Sequence, residues 1–193
     1  MTATLVRYPH LLVFCGVACA AWFVILYYWP NLFLAIYKTA VRRKGFEGPI
    51  PLNTLATAPQ AIFADPLHPP PAATKLATSG VNHDTLSTVG VLDLRAGPQV
   101  LHVPDMAGRY YSVQFTSPNN TVFAYVGTRA TGTEAGDYLI TGPRWKGDVP
   151  KGMTRIPSPT HSVFVLGRTL VYSESDLPTA HQLASQIQVA SPK

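Results

Sequence analysis

A chain of 193 residues, with 15 Lys and Arg against 10 Asp and Glu, holds enough sequence for one ordinary domain and an appendage but not for two domains. Its net charge of +5 invites a nucleic-acid reading, yet Arg7, Lys38, Arg42, Arg43 and Lys44 supply the whole excess, and from Gly45 onward ten basic residues face ten acidic ones. A nucleic-acid footprint belongs on the folded domain, so no nucleic-acid partner is expected; the five outlying cations stand where phospholipid headgroups would meet them.

Leu11 to Trp29 carries no charge, and about 20 such residues suffice to cross the hydrocarbon core. This predicts one N-terminal transmembrane helix over about 11–30, inside an anchor segment 1–44. Tyr27, Tyr28 and Trp29 read as an interfacial aromatic belt, and Arg42, Arg43 and Lys44 as its basic flank, so the lipid bilayer is the first expected partner. Cys15 and Cys19 lie inside the apolar run. The remainder therefore has no disulfide, and the long apolar run with its aromatic end argues for an uncleaved anchor rather than a removed signal. Taken literally, the charge after the run places the domain in the cytoplasm.

Residues 45–81 are dense in Pro, Ala and Thr, with Gly48-Pro-Ile-Pro-Leu52 and His68-Pro-Pro-Pro71, and read as a spacer with one short helix near Pro59 to Ala64. From residue 82 to 193 the pattern changes to period two. Tyr111, Val113 and Phe115 point one way and Ser112, Gln114 and Thr116 the other, as in a half-buried strand. Similar segments are Thr88 to Leu94, Gln99 to Val103, Thr121 to Thr128, Asp137 to Thr141 and Ser162 to Val171, punctuated by Gly97-Pro98, Pro118-Asn-Asn120 and Gly142-Pro143. The pattern predicts a mainly β domain, an antiparallel sandwich or barrel. Leu177, Ala180, Leu183, Ala184 and Ile187 then recur at helical spacing behind Ser175 and Asp176, which predicts a capped C-terminal helix.

Asn82-His-Asp-Thr-Leu86, Val91-Leu-Asp-Leu94, Arg109-Tyr-Tyr111, Gly127-Thr-Arg129, Gly142-Pro-Arg-Trp-Lys-Gly147, Gly167-Arg-Thr169 and Asp176-Leu-Pro178, in that order and spacing, resemble the bacterial family DUF1254, a domain of unknown function. Ser87 departs from the aromatic residue that the family pattern favours. The resemblance implies a jelly-roll-like antiparallel β-sandwich, export, and a companion domain, DUF1214, that usually follows in the same polypeptide. It therefore favours a single-pass protein of the bacterial inner membrane with a periplasmic domain, against the literal charge rule. The companion is expected here on a separate membrane protein.

Candidate chemistry is sparse. Asn82, Asp84 and Thr85 form the densest polar group: Asp84 reads as a general base or metal ligand with Asn82 orienting a substrate, or the pair caps a turn at the strand entry. Arg109, Arg129 and Arg168 sit at strand boundaries and would make a fork for a carboxylate or phosphate, or lock loops by pairing with Asp93, Asp105 or Asp137. Arg144, Trp145 and Lys146 offer an aromatic platform between two cations, or Trp145 folds back as a plug. His83, His102 and His161 lack metal-ligand spacing, so no metal or cofactor is expected. Gly-x-Ser-x-Gly and the phosphate-binding Gly-x-x-x-x-Gly-Lys are missing. The expected function is thus a binding or assembly module that pairs with a separate companion-domain protein. The alternative is an envelope hydrolase or metal-dependent enzyme for an anionic or carbohydrate-like substrate, using Asn82, Asp84, Arg109 and Arg129.

Overall fold

Apolar residues at every second position build two facing sheets, and their shared interior is the core. The computed structural model describes residues 9–58 and 84–192. It begins with α1 (Pro9–Lys44) and continues with β1 (Leu55–Thr57), β2 (Thr85–Asp93), β3 (Gln99–Val103), β4 (Tyr111–Thr116), β5 (Val122–Gly127), β6 (Gly136–Thr141), β7 (Met153–Pro157) and β8 (Ser162–Leu170). A 3-10 turn at Glu174–Asp176 leads into α2 (Leu177–Ser185), and β9 (Gln188–Ala190) closes the chain. One sheet has the order β1-β2-β8-β4-β5 and is antiparallel throughout; the other has the order β7-β6-β3-β9. The expected sandwich is present, with one departure: β7 runs parallel to β6, because residues 142–152 carry the chain back along the sheet before β7 begins.

The two inner faces meet over Leu92, Leu101, Tyr111, Val113, Phe115, Ile140 and Val163, each fully buried. Residues on the other face of β2 and β8 should be wet in a simple sandwich. They are not. Val89, Val91 and Phe164 are buried in a second cluster with Leu34 and Ile50, against which Val41 and Phe46 also pack. Tyr37 meets Phe164 edge-to-face at 5.5 Å between ring centres, a favourable aromatic geometry. Lys38 Nζ donates to Ser162 Oγ at 3.4 Å.

The expected transmembrane helix covered about 11–30, the apolar run, with Pro30, a residue that ordinarily interrupts a helix, at its end. It runs unbroken through Pro30 to Lys44, because the turns beyond Pro30 are held by the sheet. At 1.5 Å per residue its 36 residues span about 54 Å, against about 30 Å of hydrocarbon. Residues from Leu11 to Phe33 are all exposed, and the helix is long and apolar enough to cross a membrane. The final turn carries Arg42, Arg43 and Lys44, cations that suit the negative end of the helix dipole.

The stretch expected as spacer is docked as far as Ala58. The Ile50 amide donates to the Arg42 carbonyl at 3.0 Å and the Asn53 amide to the Val91 carbonyl at 2.9 Å. Asn53, at φ 60°, accepts from the Asp93 amide through Oδ1 at 2.7 Å; Asn tolerates that left-handed backbone better than most residues. β1 then pairs with β2 from Leu55↔Gly90 to Thr57↔Thr88. Gly90 is required there, since a Cβ would lie 2.3 Å from the Thr54 carbonyl oxygen. The short helix expected near Pro59 to Ala64 lies outside the described residues.

The C-terminal helix is present, but Asp176 does not cap it through its side chain. Its carboxylate is engaged elsewhere. α2 instead buries Ala180 and Ala184 against Leu86 and Val171.

Because Phe164 joins the sheet to α1, its truncation should loosen a discrete unit. Phe164→Ala is expected to cost about 3 kcal/mol. It should raise amide exchange in residues 45–57 while leaving β3 and β6 protected, as hydrogen-exchange mass spectrometry of the detergent-solubilised protein would report.

Candidate functional site

The antiparallel register of β2, β8, β4 and β5 gathers several singled-out residues at one end of the sandwich. There β2 and β4 begin while β8 and β5 finish. Asp84 is exposed on a bend before β2, and its carbonyl accepts from the Val171 amide at 2.8 Å. It serves the strand entry through its backbone. Asn82 lies outside the described residues.

Arg109 is the most constrained polar group at this end. Its guanidinium clasps Asp176 in a bidentate pair, Nη1 to Oδ2 at 2.6 Å and Nη2 to Oδ1 at 2.7 Å, and Nη1 also donates to the Leu170 carbonyl at 2.8 Å. The side chains are only 9% and 18% exposed. The Tyr172 amide donates to Asp176 Oδ2 at 2.9 Å, and the Tyr172 ring lies 4.9 Å from the guanidinium carbon. The Arg109 hydrogen bonds, aided by the Tyr172 amide, hold the Asp176 carboxyl well down, from 3.8 to about 2. Arg109 pairs within the domain, but with Asp176 rather than with the expected Asp93, Asp105 or Asp137. Asp93 is taken by Arg95, Asp105 accepts from the Ala107 amide, and Asp137 pairs with His102 at 2.7 Å.

Arg129 is exposed and lies over the Tyr110 ring at 5.7 Å. Beside it a cavity of about 340 Å³ is lined by Tyr110, Ser112, Tyr125, Gly127 and Arg129. β5 is the outer strand of its sheet, so this cavity sits on an open edge, and Tyr125 is 52% exposed. Arg168 faces Ser87 and Ser112 across the two neighbouring strands. It does not join Arg109 in a fork, since both Nη groups of Arg109 are engaged by Asp176.

Arg144, Trp145 and Lys146 stand at the opposite end. Gly142 abuts His161 and Leu94, where β8 starts and β2 has finished. Eight residue steps along β2 separate the two ends by about 26 Å. Trp145 is half-buried, whereas Arg144 and Lys146 are exposed. The Arg155 guanidinium lies 5.1 Å from the Trp145 ring and is itself fixed by Nε donating to Thr141 Oγ1 at 3.2 Å. Gly147 closes against the indole; a Cβ there would come within 2.5 Å of it. The candidates therefore divide into two groups that no single small substrate would bridge.

On α1, Tyr27 and Tyr28 meet edge-to-face at 5.0 Å and are exposed together with Trp29. Among the described residues no three His, Cys, Asp or Glu side chains gather as a metal site would require. Sequence reasoning missed Asp176 and Tyr172 as partners of Arg109, and Tyr110 and Tyr125 as walls of a cavity. The signal available was the pair of short motifs Arg109-Tyr-Tyr111 and Asp176-Leu-Pro178, which the fold brings together.

The depressed Asp176 carboxyl fixes a sign. A carboxylate whose folded value lies below its unfolded value stabilises fully above about pH 4, and that stabilisation is lost as pH falls toward about 2. Asp176→Asn should cost about 3 kcal/mol at neutral pH by leaving the Arg109 cation unpaired. Urea midpoints from pH 7 to pH 2.5 should show the wild-type advantage shrinking toward the variant at the acid end.

The DUF1254 family, described as a protein of unknown function, matches residues 65–191. No curated protein matches the chain. Among solved structures, the VPA0106 protein from Vibrio parahaemolyticus is similar at TM-score 0.64 and 22% identity, over 86% of this chain and 36% of that one. An uncharacterised protein from Burkholderia cenocepacia is similar at TM-score 0.41 and 11% identity, over 62% of this chain and 31% of that one. The chain thus spans about a third of the length of the Vibrio protein. By the extent of the family match and the sandwich it encodes, the chain belongs to the DUF1254 family.

Proposed function

We propose that this protein is a membrane-anchored binding module of the bacterial envelope, single-pass in the inner membrane with its sandwich in the periplasm. It docks a second polypeptide of the DUF1214 type at the Arg109 end. The observation that carries this reading is the cavity on the open edge of β5, where Tyr110, Tyr125 and Arg129 surround about 340 Å³. Aromatic rings beside an arginine are the side chains that most often anchor protein interfaces, and an unpaired edge offers backbone groups to an incoming strand. The fold also occupies only 36% of the similar Vibrio chain, which supports a unit that works beside further polypeptide. The enzymatic alternative has less support, because Arg109 is spent on Asp176 and Trp145 stands at the other end.

A photo-crosslinking residue at Tyr125 should capture one dominant membrane protein in native membranes, and Arg129→Glu should abolish the product. Crosslinking at Thr154 on β7 instead, with none at position 125, would overturn the docking site. The periplasmic placement predicts proteolysis of the domain in intact spheroplasts; full protection there would reverse the orientation.

A further inference from the structure

Another cavity lies away from the β5 edge, between α1 and the sheet. It measures about 550 Å³, and its helical wall is the stripe Asn31, Ala35, Lys38 and Arg42, faced by Arg95, Asn119 and Ser162. Three cations therefore meet in one recess. The single carboxylate on its lining, Asp93, is already neutralised by Arg95, whose Nε reaches both carboxylate oxygens at 2.9 and 3.1 Å. Donors surround the cations. Asn119, also on the lining, has its Oδ1 occupied by the Ser117 hydroxyl, which leaves the donor Nδ2. Ser162 Oγ accepts from Lys38, which frees its own proton.

Position adds to charge. If about 20 residues of α1 fill the hydrocarbon, Asn31 falls at the boundary with the headgroups, and Lys38 and Arg42 stand about 10 to 17 Å further out along the helix. Lys and Arg side chains extend their charges toward an interface from such places. A site of this composition suits a tetrahedral oxyanion, which arginine meets with paired donors and lysine with a point charge.

We infer that the recess between α1 and the sheet binds a phosphate-bearing ligand, either the headgroup of an anionic phospholipid or free phosphate, through Lys38 and Arg42, with Arg95 holding Asp93 neutral beside them. The lipid source rests on the membrane-anchored reading; the phosphate chemistry does not. Full-length protein would be placed in nanodiscs containing phosphatidylglycerol and phosphatidylcholine in equal parts and analysed by native mass spectrometry. In parallel, protein in neutral detergent would be titrated with inorganic phosphate and its melting temperature followed.

Retention of phosphatidylglycerol over phosphatidylcholine identifies the lipid source, and a rise in melting temperature with phosphate alone identifies the free anion. In either arm Lys38→Gln with Arg42→Gln should weaken binding at least about tenfold, and Arg95→Gln, in the exposed bend after β2, should weaken it too by leaving the Asp93 carboxylate uncompensated beside the anion. Arg43→Gln with Lys44→Gln, off this lining, should leave it unchanged. Equal losses in both double variants would mean diffuse surface attraction, and binding in neither arm would mean no site; each overturns the inference. Release of the chain by alkaline carbonate would defeat the membrane reading alone, since the phosphate arm in detergent would still report on the recess.

Discussion

Everything else in the molecule depends on the pairing of β2 with β8, nine residues against nine from Thr85↔Leu170 to Asp93↔Ser162. One face of that ribbon, with Leu92, Val163 and Val165, is half of the sandwich interior. The other, with Val89, Val91 and Phe164, is covered by α1 and the segment behind it. A pair of strands dry on both sides must be apolar at nearly every position, and both contain such runs, Val89 to Leu92 and Val163 to Leu166. The same ribbon fixes where the two ends lie, and so which polar residues become neighbours.

At the Arg109 end the neighbours arrive from far apart in sequence. Asp176 is 67 residues from Arg109, and the two meet only because β4 begins where β8 has just ended. The bidentate clasp, with the Leu170 carbonyl and the Tyr172 amide, ties the strand ends to the turn before α2. Such a pair holds geometry more than it adds stability, because two charges must leave water to form it. That explains why a DUF1254 residue with the look of a ligand-binding arginine is built into the frame.

What could be read from the sequence was what period-two patterning records. β3 and β4 match the expected segments residue for residue, and β6 differs at one end by a single residue. β1, β7 and β9 escaped notice for different reasons. β1 is three residues long inside proline-rich sequence, β7 is a mostly exposed outer strand ending in Pro157, and β9 is three residues behind a helix. None buries enough side chains to leave a pattern. The apolar run marked only the part of α1 that could cross a membrane, and the turns beyond Pro30 are set by packing against the sheet, which the run does not record. Among candidate residues, the chemistry of Arg109 and Trp145 was visible, but their placement at opposite ends depends on strand register, which no single segment records.

The unbroken run of α1 from Pro9 to Lys44, fastened along the sheet by Leu34, Tyr37 and Lys38, also has a mechanical meaning. A domain on a flexible tether samples a hemisphere above the bilayer, and any one of its faces spends most of its time pointing elsewhere. A domain fixed to a rod keeps one tilt and one height, free only to diffuse sideways and spin about the membrane normal. If the protein docks a membrane-embedded partner as proposed, their encounters would reduce from three dimensions to two.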